Sequence, residues 1–95
     1  MLMMMSVAIP VEAGNKAVQD HTLGQIVQKF MAEHKPESAY FTTRGGERCA
    51  LFFVDMATAS VMPQFAEPFF AGLNARIDFT PVMTPKDLAE GLGQS

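Results

Sequence analysis

The nine residues from Met1 to Ile9 are apolar in both of their alternating sets, Met3, Met5, Val7 and Ile9 in one and Leu2, Met4 and Ala8 in the other, with Ser6 the only polar position. Successive side chains of a strand point to opposite faces of its sheet, so this run predicts a strand covered on both sides. Such a strand belongs in the interior of a sheet. A second run, Cys49 to Val54, has Ala50, Phe52 and Val54 on one face and Leu51 and Phe53 on the other, and is central for the same reason. Two further segments read as edges. Ser38 to Thr43 mixes Tyr40 and Phe41 with hydroxyl residues, and Arg76 to Met83 sets Ile77, Phe79, Pro81 and Met83 against Arg76, Asp78 and Thr80. Pro81 cannot donate to a ladder, which suits an outer strand. Any fold for this chain must supply two interior strands and two edges.

The segments between these strands supply the connections. Arg44, Gly45, Gly46 and Glu47 join the second and third strands, with two glycines free to take the positive φ of a tight hairpin. Pro10 to His21 is polar, containing Glu12, Gly14, Asn15, Lys16 and Asp20, and reads as a long connection with room for a short helical turn. Thr22 to Gln25 matches a capping box, and Leu23, Ile26, Val27, Phe30, Met31 and His34 then form one helical stripe that Pro36 closes. Ser60 is the expected cap of a second helix, which tolerates Pro63 in its first turn and is expected to kink or end at Pro68. Phe69, Phe70 and Leu73 continue it briefly, and Gly72 and Asn74 mark the exit. Thr84, Pro85 and Asp87 start a short terminal helix carrying Leu88 and Leu92 on one face.

The order βαββαβ with a terminal helix defines an α+β, ferredoxin-like domain over residues 1–95. Right-handed crossovers then place the strands in spatial order 4-1-3-2, with strands one and three inside, as their two-sided apolar patterns require. Both crossover helices fall on one face of the sheet, so Leu2, Met4 and half of strand three, apolar on the other face, have no cover from their own chain. Soluble monomers rarely leave several hundred Å² of contiguous apolar surface in water, so an identical sheet is expected to cover it in a face-to-face homodimer. The terminal helix would pack on the partner or on its own sheet.

Composition narrows the function classes. A chain of 95 residues fits one domain, which buries only about two-thirds of its unfolded surface and gains from a partner. Its 18% charged residues fall below the usual share of about 25%, consistent with surface hidden in an oligomer. A net charge of -3 without a Lys/Arg cluster argues against nucleic acid as a partner. No apolar run approaches the ~20 residues that cross a bilayer, and no basic residue precedes the apolar start, which reads as strand rather than leader. The expected location is the cytoplasm. Cys49 is alone, so no intrachain disulfide is possible, and its apolar strand predicts an inert, packed thiol.

In the inferred topology the connection after strand one, the hairpin and the turn before strand four lie at one end of the sheet. Asn15, Lys16, Arg44 and Asn74 meet there as candidate ligand-binding residues for a small carboxylate or phosphate. The plainer reading is a set of solvated loop charges, since Gly14-Asn15-Lys16 matches no phosphate-loop spacing. His21 and His34 fall near opposite ends of one helix, so no metal site is expected, and no cofactor motif is present. No serine stands in a nucleophile elbow. Tyr40, on a mainly apolar strand, and Glu67, between apolar helical residues, are the candidate catalytic pair. Burial disfavours the charged form of a carboxyl group, so an inward Glu67 would be a proton shuttle, whereas an outward one is an ordinary helix charge. Eight methionines and eight phenylalanines could line an adaptable cavity or fill a core and a dimer seam.

Pro10-Val11-Glu12-Ala13-Gly14-Asn15-Lys16, the segment Lys35 to Phe41, and the run from Ala66-Glu67-Pro68-Phe69-Phe70 through Leu73-Asn74 to Pro81-Val82-Met83 together resemble a small bacterial family of uncharacterised proteins spanning nearly the whole chain. That family is similar to the dimeric α/β-barrel superfamily, which includes muconolactone isomerase-like and antibiotic-biosynthesis monooxygenase-like proteins. The resemblance implies a homodimer with a pocket between sheet and helices, and carries no catalytic residue onto this chain. Two functions are open: a homodimeric module binding a small, partly apolar anionic metabolite, or a cofactor-independent isomerase or monooxygenase of a small organic acid. In the second, Glu67 or Tyr40 would move protons, and Lys16 or Arg44 would hold the carboxylate.

Overall fold

Two strands, β1 (Leu2–Ile9) and β3 (Glu47–Asp55), form the centre of a four-stranded antiparallel sheet in a computed structural model that describes residues 1–93. The edges are β2 (Ser38–Arg44) and β4 (Arg76–Pro81), and the order β2-β3-β1-β4 is the ferredoxin-like order expected from the element sequence. The β2–β3 hairpin turns through Gly45 (φ 59°) and Gly46 (φ 78°), both in the left-handed region that a two-residue turn of this hand needs.

Register assigns each side chain to a face. Met5 stands opposite Phe52 and Phe79, and Val7 opposite Ala50 and Ile77. These residues face the helices α1 (Val11–Gln19), α2 (Thr22–His34) and α3 (Met62–Leu73), the last entered through a 3-10 turn at Ala59–Val61. Met5, Val7 and Phe52 have no exposed surface. Phe30 of α2 joins the layers, with its ring 4.6 Å from Phe52, 5.1 Å from Phe69 and 5.9 Å from Phe65. Tilted and edge-on aromatic pairs add about 0.5–1.5 kcal/mol each beyond the burial of their surface. α2 and α3 approach closely where a Cβ on Gly72 would lie 2.6 Å from Ile26 Cδ1.

Three local expectations are corrected, and a fourth, the kink or end at Pro68, is narrowed. The stretch after β1 is a nine-residue helix rather than a loop with one turn. Its buried residues are Gly14 and Ala17, too small to register as an apolar stripe. Thr22 does not cap α2; His21 takes the preceding position with φ 62°, and the Thr22 hydroxyl instead donates to the Ala17 carbonyl at 3.3 Å. Because α1 ends so close by, its last turn supplies the hydroxyl's acceptor. Ser60 is not the cap of α3 but part of the 3-10 turn, its Oγ 2.6 Å from Thr58 Oγ1. Pro68 does not end α3, which runs on to Leu73, where Asn74 (φ 51°) closes it. Pro68 lies on the exposed side, so its ring meets no packed neighbour layer and the helix forfeits one backbone donor there.

Among the described residues the other face of the sheet carries no helix. Leu2, Met4, Ser6 and Ala8 of β1 lie beside Phe53, Leu51 and Cys49 of β3, with Tyr40 and Thr42 of β2 at the margin. Leu2, Met4, Leu51 and Phe53 remain half-buried, and Tyr40 is 60% exposed. Beyond β4, α4 (Pro85–Gly91) begins with a complete capping box: the Asp87 N–H donates to Thr84 Oγ1 and the Thr84 N–H to Asp87 Oδ2, each at 3.1 Å. α4 nevertheless buries none of its residues, Leu88 and Leu92 are exposed, and the chain reaches 51 Å along its longest axis.

Candidate functional site

The end of β1, the β2–β3 hairpin and the start of β4 converge at one end of the sheet, where Ile9 stands opposite Arg48 and Ala8 opposite Arg76. Alternation sends the two arginines to opposite faces. On the open face Arg76 pairs with Glu47, reaching across the end of β1, with Arg76 Nη1 donating to Glu47 Oε2 at 3.4 Å. The hydrogen bond to Glu47 and then its negative charge hold the Arg76 guanidinium above its ordinary range. The Arg76 side chain is largely exposed, so solvent screens the pair and its effect on stability is small.

On the covered face Arg48 turns toward α1 and its Nη2 donates to Asn15 Oδ1 at 3.1 Å. Gly14 makes this approach possible, since a Cβ there would fall 2.6 Å from Arg48 Nη1 and 3.2 Å from Ile9 Cγ2. Next to this contact a cavity of about 320 Å³ opens between α2 and the β2 side of the sheet. Leu23 and Val27 of α2 form its roof, Ile9, Phe41 and Ala50 its floor, and Phe69 of α3 its inner wall. The gap follows from topology. β2 is the outermost strand on that side, and Phe41 projects from it 59% exposed, touching Phe52 edge-on at 5.9 Å. The volume is within the lower range of small-molecule sites, which are concave, mostly apolar and marked by few polar groups.

The residues singled out in the sequence distribute less tightly than expected. Asn15 and Lys16 belong to α1, and with Asn74 they line one shallow groove on the helical side. Arg44 lies across the sheet from them, on the open face near Ser6 and Asp78. The four therefore do not form one pocket. Tyr40 is also on the open face, edge-on to Phe53 at 6.3 Å, while Glu67 is exposed on α3 and lines none of the described cavities. His34 packs its ring 4.2 Å from Phe65 and 5.0 Å from Phe30, extending the aromatic core. Cys49 is buried, its Sγ 3.7 Å from Ser6 Oγ. Among the described residues no three His, Cys, Asp or Glu side chains stand close enough to hold a metal ion.

A pocket between sheet and helices is what the resemblance implies, but sequence reasoning missed Arg48 as one of its residues. The signal was in the register: Arg48 shares the face of Ala50, Phe52 and Val54, and a strand begun two residues earlier would have placed a lone cation on an apolar face. Compared with known proteins, the chain matches no family model, no curated protein and no solved structure. No helix among the described residues is long and apolar enough to cross a membrane.

Proposed function

We propose that this chain acts as a cytoplasmic homodimer that binds a small, partly apolar anionic metabolite and performs no chemistry of its own. The observation that carries the reading is the apolar cleft between α2 and the sheet, about 320 Å³ in volume, with a guanidinium at its hairpin end. Pairing through the open face is supported by the half-buried Leu2, Met4, Leu51 and Phe53, which no element among the described residues covers. The exposed Leu88 and Leu92 of α4 suit the same partner, because a seven-residue helix is marginal without packing. The resemblance to dimeric α/β barrels belongs to this proposal, since such a dimer would use the helix-free face.

The isomerase or monooxygenase alternative keeps its cavity but loses the inward carboxylate that motivated it. Glu67 is exposed, and Tyr40 is separated from it by the sheet. The binding reading is tested by screening small apolar acids with ligand-observed NMR against the wild type and Val27→Trp, whose indole would fill the cleft. Acids that bind the wild type and not the filled variant support it; a wild type that binds none of them counts against it.

A further inference from the structure

We infer that Arg48 is the anion anchor of the cleft, and that the ligand class is an organic monocarboxylate with an aromatic or branched aliphatic body. This rests on the cleft being a ligand site, and adds which end holds the charge and what charge it holds. Among the described residues Arg48 is the only charged one lining the cavity, where the Thr42 hydroxyl and the Cys49 thiol join otherwise apolar walls. It is half-buried, and among the described residues it takes part in no ion pair, whereas Arg76 at the same end of the sheet is matched with Glu47. A guanidinium offers five N–H donors, and the bond to Asn15 uses one of them.

The arrangement has features of a positioned group. Asn15 holds one side of the guanidinium, and the missing Cβ of Gly14 lets it lie against α1 instead of swinging into water. A planar fork fixed in this way matches the two oxygens of a carboxylate, and partial removal from water strengthens the pairing. One cation in an apolar cleft compensates one negative charge. A phosphate dianion would be left with uncompensated charge in a chain that already carries a net charge of -3. The carboxylate would sit at the hairpin end beside Arg48, with the apolar body between Phe41 and the Leu23–Val27 face of α2.

The test compares 3-phenylpropanoate with its uncharged analogue 3-phenylpropanamide by calorimetry and by amide-shift mapping on the full chain. The wild type should bind the acid about tenfold or more tightly than the amide, the factor expected for one charge-assisted hydrogen-bonded pair. Arg48→Gln should bring the two ligands to equal affinity. Gly14→Ala, which keeps Arg48 but displaces its guanidinium, should reduce the preference while leaving the circular dichroism spectrum unchanged, so the inference is testable even if Arg48→Gln folds poorly. Equal binding of acid and amide by the wild type, or a preference that survives both substitutions, would overturn the role of Arg48 and leave the cleft as a neutral apolar site. Failure of both compounds to shift the amides of Leu23, Val27 and Ala50 would remove the ligand site itself, and the anchor with it.

Discussion

The two faces of the sheet are built from the same strands yet reach different ends. On the helix-covered face Met5, Val7 and Phe52 are fully buried, and the Phe30 cluster ties α2 and α3 to the sheet. Their immediate neighbours on the other face, Met4, Leu51 and Phe53, keep part of their surface in water, although their side chains are no less apolar. Connectivity accounts for the difference: every crossover helix of this topology packs on one side, so the described chain covers one face and leaves the other open. Apolar pattern alone identifies strands covered on both sides. It does not say whether the second cover comes from the same chain.

The contrast can be pressed hardest by truncating adjacent residues of β3. Phe52→Ala should cost about 3–5 kcal/mol, because a ring at the centre of the core is replaced by a cavity its neighbours cannot fill. Given a total stability of about 5–15 kcal/mol, the urea midpoint should collapse. Phe53→Ala, one residue away and facing the open side, should leave the midpoint of a dilute sample far less changed while lowering that of a concentrated one, since association stabilises by mass action. Equal losses at both positions, independent of protein concentration, would break the distinction between the faces.

A smaller effect is expected within the helical layer. Pro68 lies inside α3 on its exposed side, so Pro68→Ala restores a backbone donor without disturbing the core and should raise stability by about 1–3 kcal/mol, read as a higher melting temperature. A drop would mean that the proline ring packs against something outside the chain. The smallest change belongs to Glu67→Gln, which should stay within about 0.5 kcal/mol of the wild type, as exposed substitutions away from special features do. A larger shift would show that Glu67 has a partner in the assembly.

Much of this architecture was legible from the residues because its strongest signals are long. The double-sided apolar runs of β1 and β3, the Gly45–Gly46 turn and the Thr84–Asp87 box each express one physical demand over several positions, and strand order followed from them. What stayed hidden depends on contacts between distant segments. α1 shows only Gly14 and Ala17 to the core, so its periodicity is carried by residues with little side chain to detect. Thr22 looks like a cap until the end of α1 supplies an acceptor for its hydroxyl. The candidate site was legible as an end of the sheet and, through the resemblance, as a pocket between sheet and helices, but not in the residues that line it. Asn15 reads as a candidate ligand-binding residue, and its side-chain oxygen accepts from Arg48, which lies between the Arg44–Glu47 turn and a strand whose apolar pattern starts only at Cys49.

Completion of the open face by a second copy is tested most directly by light scattering of the wild type and Met4→Lys at micromolar concentration. Met4 lies mid-strand on the open face, beside Phe53 and Thr80, and an ammonium there should not survive between two packed sheets. The wild type should run at twice the chain mass, and Met4→Lys at the chain mass with an unchanged circular dichroism spectrum. A wild type at the chain mass, or a Met4→Lys protein that stays dimeric, would contradict the account.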